Sequence, residues 1–153
     1  MKTNLIAILT FISFVAITAC NDNDGFTSQT VDSEVVAKTF IASGNGYSNL
    51  HSVLYSQNEW DILLNSLEGL GVNTEYIIDA ENQEIDFNNF QLIAVFYDGI
   101  TSSGTTIDIT NITENENEIV VTVENLHIGT TTDVAQPFEI VKIPKIDKPV
   151  VFE

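Results

Sequence analysis

Residues 99–106 read GITSSGTT and differ at one place from a phosphate-binding loop. Such a loop has the pattern G-x-x-x-x-G-K-[ST], and its lysine reaches the terminal phosphates of a nucleotide. Gly99 and Gly104 have the required separation, but Thr105 stands where the lysine should be. A helix should also follow the second glycine, whereas TTIDITNIT alternates in the manner of a β-strand. The segment therefore predicts a turn between strands, and we expect no nucleotide to bind.

Other residues that could perform catalysis are scarce. The two histidines, His51 and His127, both lie in predicted strands, and neither has the spacing of a zinc site. No G-x-S-x-G motif marks a nucleophilic serine, so Ser102 and Ser103 are typical of a turn. We expect a protein that is not an enzyme and that uses no metal and no cofactor. An enzyme with an unrecognised site is kept as an alternative.

The start of the chain indicates export and lipid attachment. Lys2 precedes an apolar run over residues 5–17, which is shorter than the roughly 20 residues of a membrane-spanning helix. The run leads into ITAC at residues 17–20, which resembles a bacterial lipobox. That resemblance implies that residues 1–19 are a lipoprotein signal peptide and that the thiol of Cys20 carries the lipid. The expected location is the cell envelope, at the periplasmic or the surface-exposed face of the outer membrane.

The composition restricts the partners. Asp and Glu number 22 against 5 Lys and Arg, which gives a net charge of −17. Nucleic acids and anionic lipid surfaces attract clustered basic residues, so we expect no nucleic acid and no membrane contact except through the lipid anchor. The polar residues 20–33 predict a lipidated, flexible tether. Residues 34–153 are predicted to form a single globular domain, because 44% of the chain is hydrophobic.

One amphipathic helix is predicted in this domain. Ser56 and Glu59 have the spacing of a capping box, in which each residue binds the backbone near the other. Four large apolar residues then fall on one face of the helix, at a period of 3.6 residues. They are Trp60, Leu63, Leu64 and Leu67. The polar stretch that follows is expected to loop past the sheet, with the side chains of Tyr76, Ile77 and Ile78 buried.

Strands are predicted over most of the remaining domain. FQLIAVFY has the apolar pattern of a strand buried on both faces, and TTIDITNIT and EIVVTVENLHI alternate in polarity. Pro137 and Pro144 are predicted to bound the penultimate strand, and PVVF is the last one. The predicted fold class is mainly β, close to the α+β border. We expect an antiparallel sheet or meander with one amphipathic helix packed on it.

From Ile85 onward, the order of motifs resembles the C-terminal domain of the PrcB-like family, a family of bacterial lipoproteins associated with a protease complex. The shared features are the pair Asp86-Phe87, the strand LIAVFYDG, the turn and strand SSGTTIDITNI, and the terminal TTTDVAQPFEIVKIPK. The helix SQNEWDILLNSL also fits, so the resemblance covers residues 51–152. One departure is that family members tend to have Gly-Gly-Tyr where this chain has Gly104-Thr105-Thr106.

The resemblance implies an accessory role, in which a lipid-anchored subunit helps a cell-surface protease to assemble or to stay stable. Our leading hypothesis is a non-enzymatic protein that binds another extracytoplasmic protein, such as a protease. Loops on a rigid sheet are the expected contact sites, here residues 99–105 and 129–136. The candidates in the first loop are Gly99, Thr101, Ser102, Ser103, Gly104 and Thr105. An alternative is a β-type protease inhibitor that inserts the Ser-Gly turn into a protease cleft.

Overall fold

The structure is a computed structural model that describes residues 25–42, 46–77 and 85–153, without the side chains of residues 125 and 126. The predicted signal peptide and Cys20 lie outside these residues. The elements in chain order are β1 (Gln29–Thr30), β2 (Glu34–Ile41), β3 (His51–Leu54), α1 (Gln57–Gly69), a 3₁₀ helix (Thr74–Tyr76), β4 (Phe90–Phe96), β5 (Thr101–Ser102), β6 (Thr106–Glu114), β7 (Ile119–His127), β8 (Val134–Pro144) and β9 (Val150–Phe152). The prediction of a mainly β fold is confirmed, and the residues that the structure describes contain a single α-helix.

The strands form two sheets that pack against each other. The central sheet has the order β2-β8-β4-β3, and β5 also pairs with the first residues of β8. The second sheet has the order β1-β6-β7-β9, in which β9 runs parallel to β7 and the other pairs are antiparallel. Among the described strands, only β6 and β7 form a direct hairpin. The chain therefore passes back and forth between two sheets, whereas the sequence predicted a meander in which consecutive strands pair with each other.

Strand β4 shows how the three layers are held together. Leu92, Ala94 and Phe96 face α1, whereas Ile93 and Val95 face the second sheet. All five are almost completely buried, because side chains alternate between the two faces of a strand and both faces are covered here. The prediction of a strand buried on both sides is confirmed, and the layer order is helix, central sheet, second sheet.

Helix α1 begins where its capping residues predict. The Ser56 hydroxyl accepts a hydrogen bond from the Glu59 backbone N–H at 3.3 Å. The Glu59 carboxylate accepts from the Tyr55 N–H at 2.7 Å, one residue earlier than in a standard capping box. The predicted apolar face is buried on the central sheet through Trp60, Leu63, Leu64 and Leu67. In the described residues, no helix has the length and apolar character needed to cross a membrane.

Pro137 lies inside the central strand β8 and does not bound it. β8 begins at Val134 and pairs with β2 on one side and with β4 on the other. The Pro137 carbonyl accepts from the Tyr97 N–H at 2.9 Å, but the proline has no N–H to return to the Tyr97 carbonyl. The Gln136 side chain supplies the missing donor, because its Nε2 lies 2.9 Å from that carbonyl oxygen. A neighbouring amide therefore makes the proline tolerable in mid-sheet.

Two segments differ from the sequence expectations. Gln29 and Thr30, which were predicted to belong to the tether, pair with β6 at residues 113–114, and the next residue, Val31, is buried. Ile77 is buried as expected, but Tyr76 is 84% exposed, because the 3₁₀ helix turns its ring away from the sheet. Residues 20–24 of the predicted tether, and Ile78, lie outside the described residues.

Candidate protein-contact surface

The Ser-Gly turn predicted from GITSSGTT packs against the threonine-rich loop near residue 130. The turn leaves β4 through Gly99, whose φ of +105° is a backbone conformation that favours glycine. Thr101 and Ser102 then pair with Ala135 and Val134 of β8. We call residues 99–105 and 128–134 together the double-loop surface. Strand β6 follows the turn directly, as the sequence predicts.

Two glycines allow the two loops to approach each other closely. A side-chain carbon placed on Gly129 would lie 2.3 Å from the Gly104 carbonyl carbon and 2.5 Å from the Ser102 hydroxyl oxygen. Such distances are too short for any side chain, so the contact requires glycine at position 129. The family-like motif at residues 102–106 therefore has a structural role, which is to pack one loop on the other.

Hydroxyl groups connect the loops across this contact. The Thr105 hydroxyl lies 3.0 Å from that of Thr101 and accepts from the Gly129 N–H at 3.1 Å. The Ser103 hydroxyl lies 3.1 Å from that of Thr131. Hydrogen bonds from Ser103 and Thr131 lower the pKa of the Asp133 carboxyl, which stays ionised at the tip. The loops are thus held in one conformation by polar contacts as well as by packing.

Aliphatic side chains project from these loops into solvent. Ile128 is 76% exposed, and Ile100 and Val134 are also exposed. Three exposed branched aliphatic residues thus lie on two loops that pack together, and exposed apolar residues that cluster on a surface mark interaction sites. No spacing rule in the sequence identifies these residues, since each lies next to polar neighbours in its own segment.

The structure distinguishes among the predicted contact residues. Gly99 is exposed, and Thr101, Ser102, Ser103 and Gly104 are half-buried. Thr105 is only 4% exposed, so its hydroxyl serves the network between the loops and does not face solvent. In the second predicted loop, Ala135 and Gln136 are buried in β8. The exposed part of that loop therefore ends at Val134.

A charged cluster lies beside the turn, between the two sheets. Glu139 of β8 is 3% exposed and accepts from the Ile109 N–H at 2.6 Å. Lys38 of β2 lies 3.5 Å from this carboxylate and also contacts Asp108, which accepts from the Thr106 hydroxyl at 2.8 Å. Burial acts to lower the pKa of Lys38, but the hydrogen bond to Asp108 and the charge of Glu139 outweigh it and raise the pKa. Lys38 therefore remains a cation and is unsuited to act as a base.

The histidines do not assemble a recognisable catalytic set. His51 stacks on Phe152 with ring centroids 4.6 Å apart, and it lines a cavity of about 300 Å³ with Asp98. The other residues lining this cavity are Leu50, Phe96, Tyr97 and Ile107, none of which is a serine or a cysteine. His127 is exposed at the end of β7. No group of three His, Cys, Asp or Glu side chains in the described residues could hold a metal ion.

Compared with known protein families, curated proteins and solved structures, the chain has no match. The resemblance to the PrcB-like family stays a prediction that depends on the short motifs quoted above.

Proposed function

We propose that the protein is a lipid-anchored, non-enzymatic accessory protein that binds another extracytoplasmic protein through the double-loop surface. The observation that carries this proposal is the exposure of Ile100, Ile128 and Val134 on two loops that are fixed to each other. A surface of this kind loses little conformational freedom on binding, so more of the contact energy is available as affinity. The lipobox at residues 17–20 supports a location in the outer membrane, on its periplasmic or surface-exposed face.

The charge distribution also supports a protein partner. Each lysine of the described residues already has a partner within the chain. Lys38 contacts Asp108, Lys142 contacts Glu34, Lys148 contacts Glu114, and Lys145 donates to the Phe87 carbonyl. Most of the acidic residues in the described parts of the chain are exposed, so the surface is suited to a basic partner. A cell-surface protease complex is the partner that the sequence resemblance favours.

The inhibitor alternative is less well supported by the geometry. An inhibitory loop projects from its own domain to enter a protease cleft, but here the turn packs against a second loop at Gly104 and Gly129. Ser102 and Ser103 are half-buried, and Thr105 is buried. These contacts favour a loop pair that lies flat on a partner surface over a turn that inserts.

Crosslinking in intact cells tests the proposal. The photoreactive amino acid p-benzoylphenylalanine is placed at position 128 of the full-length protein, and adducts are identified by mass spectrometry. The matched control is position 62, because Ile62 is also an exposed isoleucine but lies on the outer face of α1. We expect a discrete protein adduct from position 128 and none from position 62. The absence of adducts at 128, or the same adducts at both positions, would contradict the proposal.

A substitution then measures the energetic contribution of the patch. Ile128→Asp should weaken copurification of the identified partner, and Ile62→Asp should not. An aliphatic side chain buried at an interface contributes about 1.5–3 kcal/mol, which is roughly tenfold or more in affinity. If the partner is a protease, its activity separates the two hypotheses. An accessory protein leaves the activity intact or raises it, whereas an inhibitor abolishes it.

A further inference from the structure

The strongest feature outside the double-loop surface is the outer edge of β2. This strand is the first in the order of the central sheet and pairs only with β8 there. Within the described residues, no strand pairs with its other side. A bulge between Val35 and Ala37 interrupts the pairing, and the register is regular from Ala37 to Ile41. Residues 37–41 are therefore a short, regular edge, of the kind that can accept another strand.

The register identifies the backbone groups that point outward. In an antiparallel sheet, the N–H and C=O of one residue point to the same side, and this side alternates along the strand. The Pro137 carbonyl points to β4, because it accepts from the Tyr97 N–H at 2.9 Å. Phe40 lies opposite Pro137, so the N–H and C=O of Phe40 point away from β8, as do those of Lys38. These two residues present two donors and two acceptors to an added strand.

A cavity lies on each face of the same edge. One, of about 640 Å³, lies on the helix side and is also lined by Val72 and Ile77 of the helix-side core. The other, of about 220 Å³, lies on the side of the second sheet and is also lined by Thr105 and Ile107. Residues 38–40 line both cavities. Because side chains of an extended strand alternate between faces, a strand added beside β2 would place successive side chains in the two cavities.

The surroundings of the edge indicate the chemistry of this strand. The exposed apolar side chains of Val35, Phe40 and Tyr76 lie along it. Glu75 is exposed beside Tyr76, and the charge of Lys38 is offset by Asp108 and Glu139. The edge is thus apolar with an acidic margin. A second copy of this chain, itself with a net charge of −17, fits it poorly, whereas a segment with basic and apolar residues fits it well.

We infer that the outer edge of β2 binds an extended, basic segment of a partner protein by strand addition, with its side chains alternating between the two cavities. The inference rests on the proposed function in so far as the occupant is a protein. It uses a different surface, however, and either can fail without the other. Crosslinks from position 128 test the double-loop surface, and amide protection in β2 tests the edge.

The experiment selects peptide ligands directly, so the natural partner need not be identified first. A phage-displayed library of random ten-residue peptides is selected on the full-length protein in detergent, and enriched peptides are synthesised. Hydrogen exchange with and without peptide then reports on single amides. We expect enriched peptides to contain Lys or Arg among alternating apolar residues, and to slow exchange at the Lys38 and Phe40 amides at least tenfold. Glu75→Lys should weaken their binding, and Glu75→Gln should have a smaller effect.

Methylated peptides provide the matched control, since they leave the protein unchanged. Each peptide is made in two forms, with N-methyl groups on the odd or on the even residues. Only one set of amides faces β2 in an added strand, so one form should bind about tenfold or more weakly and the other nearly normally. On the protein, Phe40→Pro removes the outward N–H, whereas Phe40→Ala removes only the ring. The proline variant should lose more affinity.

Three results would overturn the inference. The first is a selection that enriches no peptide. The second is enriched peptides that bind equally in both methylated forms, or that leave the exchange of the Lys38 and Phe40 amides unchanged. The third is a concentration-dependent dimer in sedimentation that protects these amides without peptide. That result would assign the edge to a second copy of the chain.

Discussion

The two faces of the central sheet are built by the same two strands but are filled by different kinds of side chain. On the helix face, Phe96 packs on Phe138 with ring centroids 5.2 Å apart, and Trp60 of α1 belongs to the same cluster. On the other face, β4 and β8 contribute aliphatic residues such as Ile93 and Val141. A cylindrical helix leaves uneven gaps above a sheet, which large rings fill, whereas two stacked sheets keep a nearly constant spacing suited to β-branched residues.

The face toward the second sheet also holds a buried charged residue. The clustered residues of the helix face include none. Glu139 is buried between the sheets, where its carboxylate accepts a hydrogen bond from the Ile109 N–H and pairs with Lys38. The second sheet can offer a free backbone N–H at Ile109, because β1 pairs with β6 only at residues 113–114 and leaves the rest of that edge open. A helix has no such donor to offer along its side. The type of covering layer therefore decides which polar groups this core can hold.

Loss of a large ring from the helix face should destabilise the protein most. Phe138→Ala should lower the free energy of unfolding by about 3–5 kcal/mol, because the lost ring leaves a cavity under α1. Val141→Ala on the opposite face removes only two methyl groups, and it should cost about 2 kcal/mol at roughly 0.8 kcal/mol per buried carbon. Urea unfolding followed by Trp60 fluorescence measures both. Equal losses would show that the two faces do not differ in this way.

The next effect concerns the buried charge. Glu139→Ala should destabilise by about 1–3 kcal/mol, because the Ile109 N–H is left buried without an acceptor. Glu139→Gln keeps an acceptor oxygen and loses only the attraction to Lys38, so its cost should be about 1 kcal/mol or less. The difference between these variants, measured by urea unfolding, isolates the hydrogen bond. If glutamine were as costly as alanine, the charge would be the larger contribution.

A smaller and more exact test uses one residue type on both faces. Ile140 faces the helix and Ile143 faces the second sheet, and both are completely buried in β8. Ile→Val at either position should cost about 0.5–1.5 kcal/mol. Thermal unfolding should give nearly equal shifts for the two variants. A clearly smaller shift at position 143 would indicate that the interface between the sheets is less tightly packed.

The smallest effect is a pH dependence at the rim of the second sheet. Hydrogen bonds from Lys148 and then Gln29 lower the pKa of Glu114 below its ordinary value of 4.5. A carboxyl with a lowered pKa stabilises the folded state above its ordinary pKa, and this contribution is lost as the pH falls through the folded-state pKa. Glu114→Gln should therefore make the melting temperature less sensitive to pH below 4.5. Unchanged pH dependence, with the native protein and the variant measured in the same buffers, would refute this.

Local features of the sequence predicted the helix and the turn well. The capping box and the apolar stripe of α1 act within a few residues, so the chain itself contains the needed information. The glycines of GITSSGTT likewise predict a turn. The exposed Ile128 and the contact of Gly104 with Gly129 could not be predicted, because they depend on which loops meet in space. In the sequence, the contact is indicated only by the presence of a glycine in each of two threonine-rich segments, Gly104 and Gly129.

Pairing between distant strands was the main feature that the sequence did not predict. The sequence predicts a strand boundary at Pro137, because proline lacks a backbone donor. Only the fold shows that the Gln136 side chain donates the missing hydrogen bond. The sequence assigns Gln29 and Thr30 to the tether, because two residues are too few to show the alternating polarity of a strand. In the structure they extend the second sheet. Tyr76 read as buried because of its apolar ring, although the 3₁₀ helix directs it to solvent.

The central sheet forms late, because its middle strand β8 is synthesised after the strands on either side of it. Strand β8 pairs with β2 on one side and with β4 on the other. Glu34 therefore has no strand partner until Lys142 has been synthesised. A chain that is still being synthesised can therefore form α1 but not the central sheet on which α1 docks. We expect nearly complete chains to remain open to proteases until β8 is available.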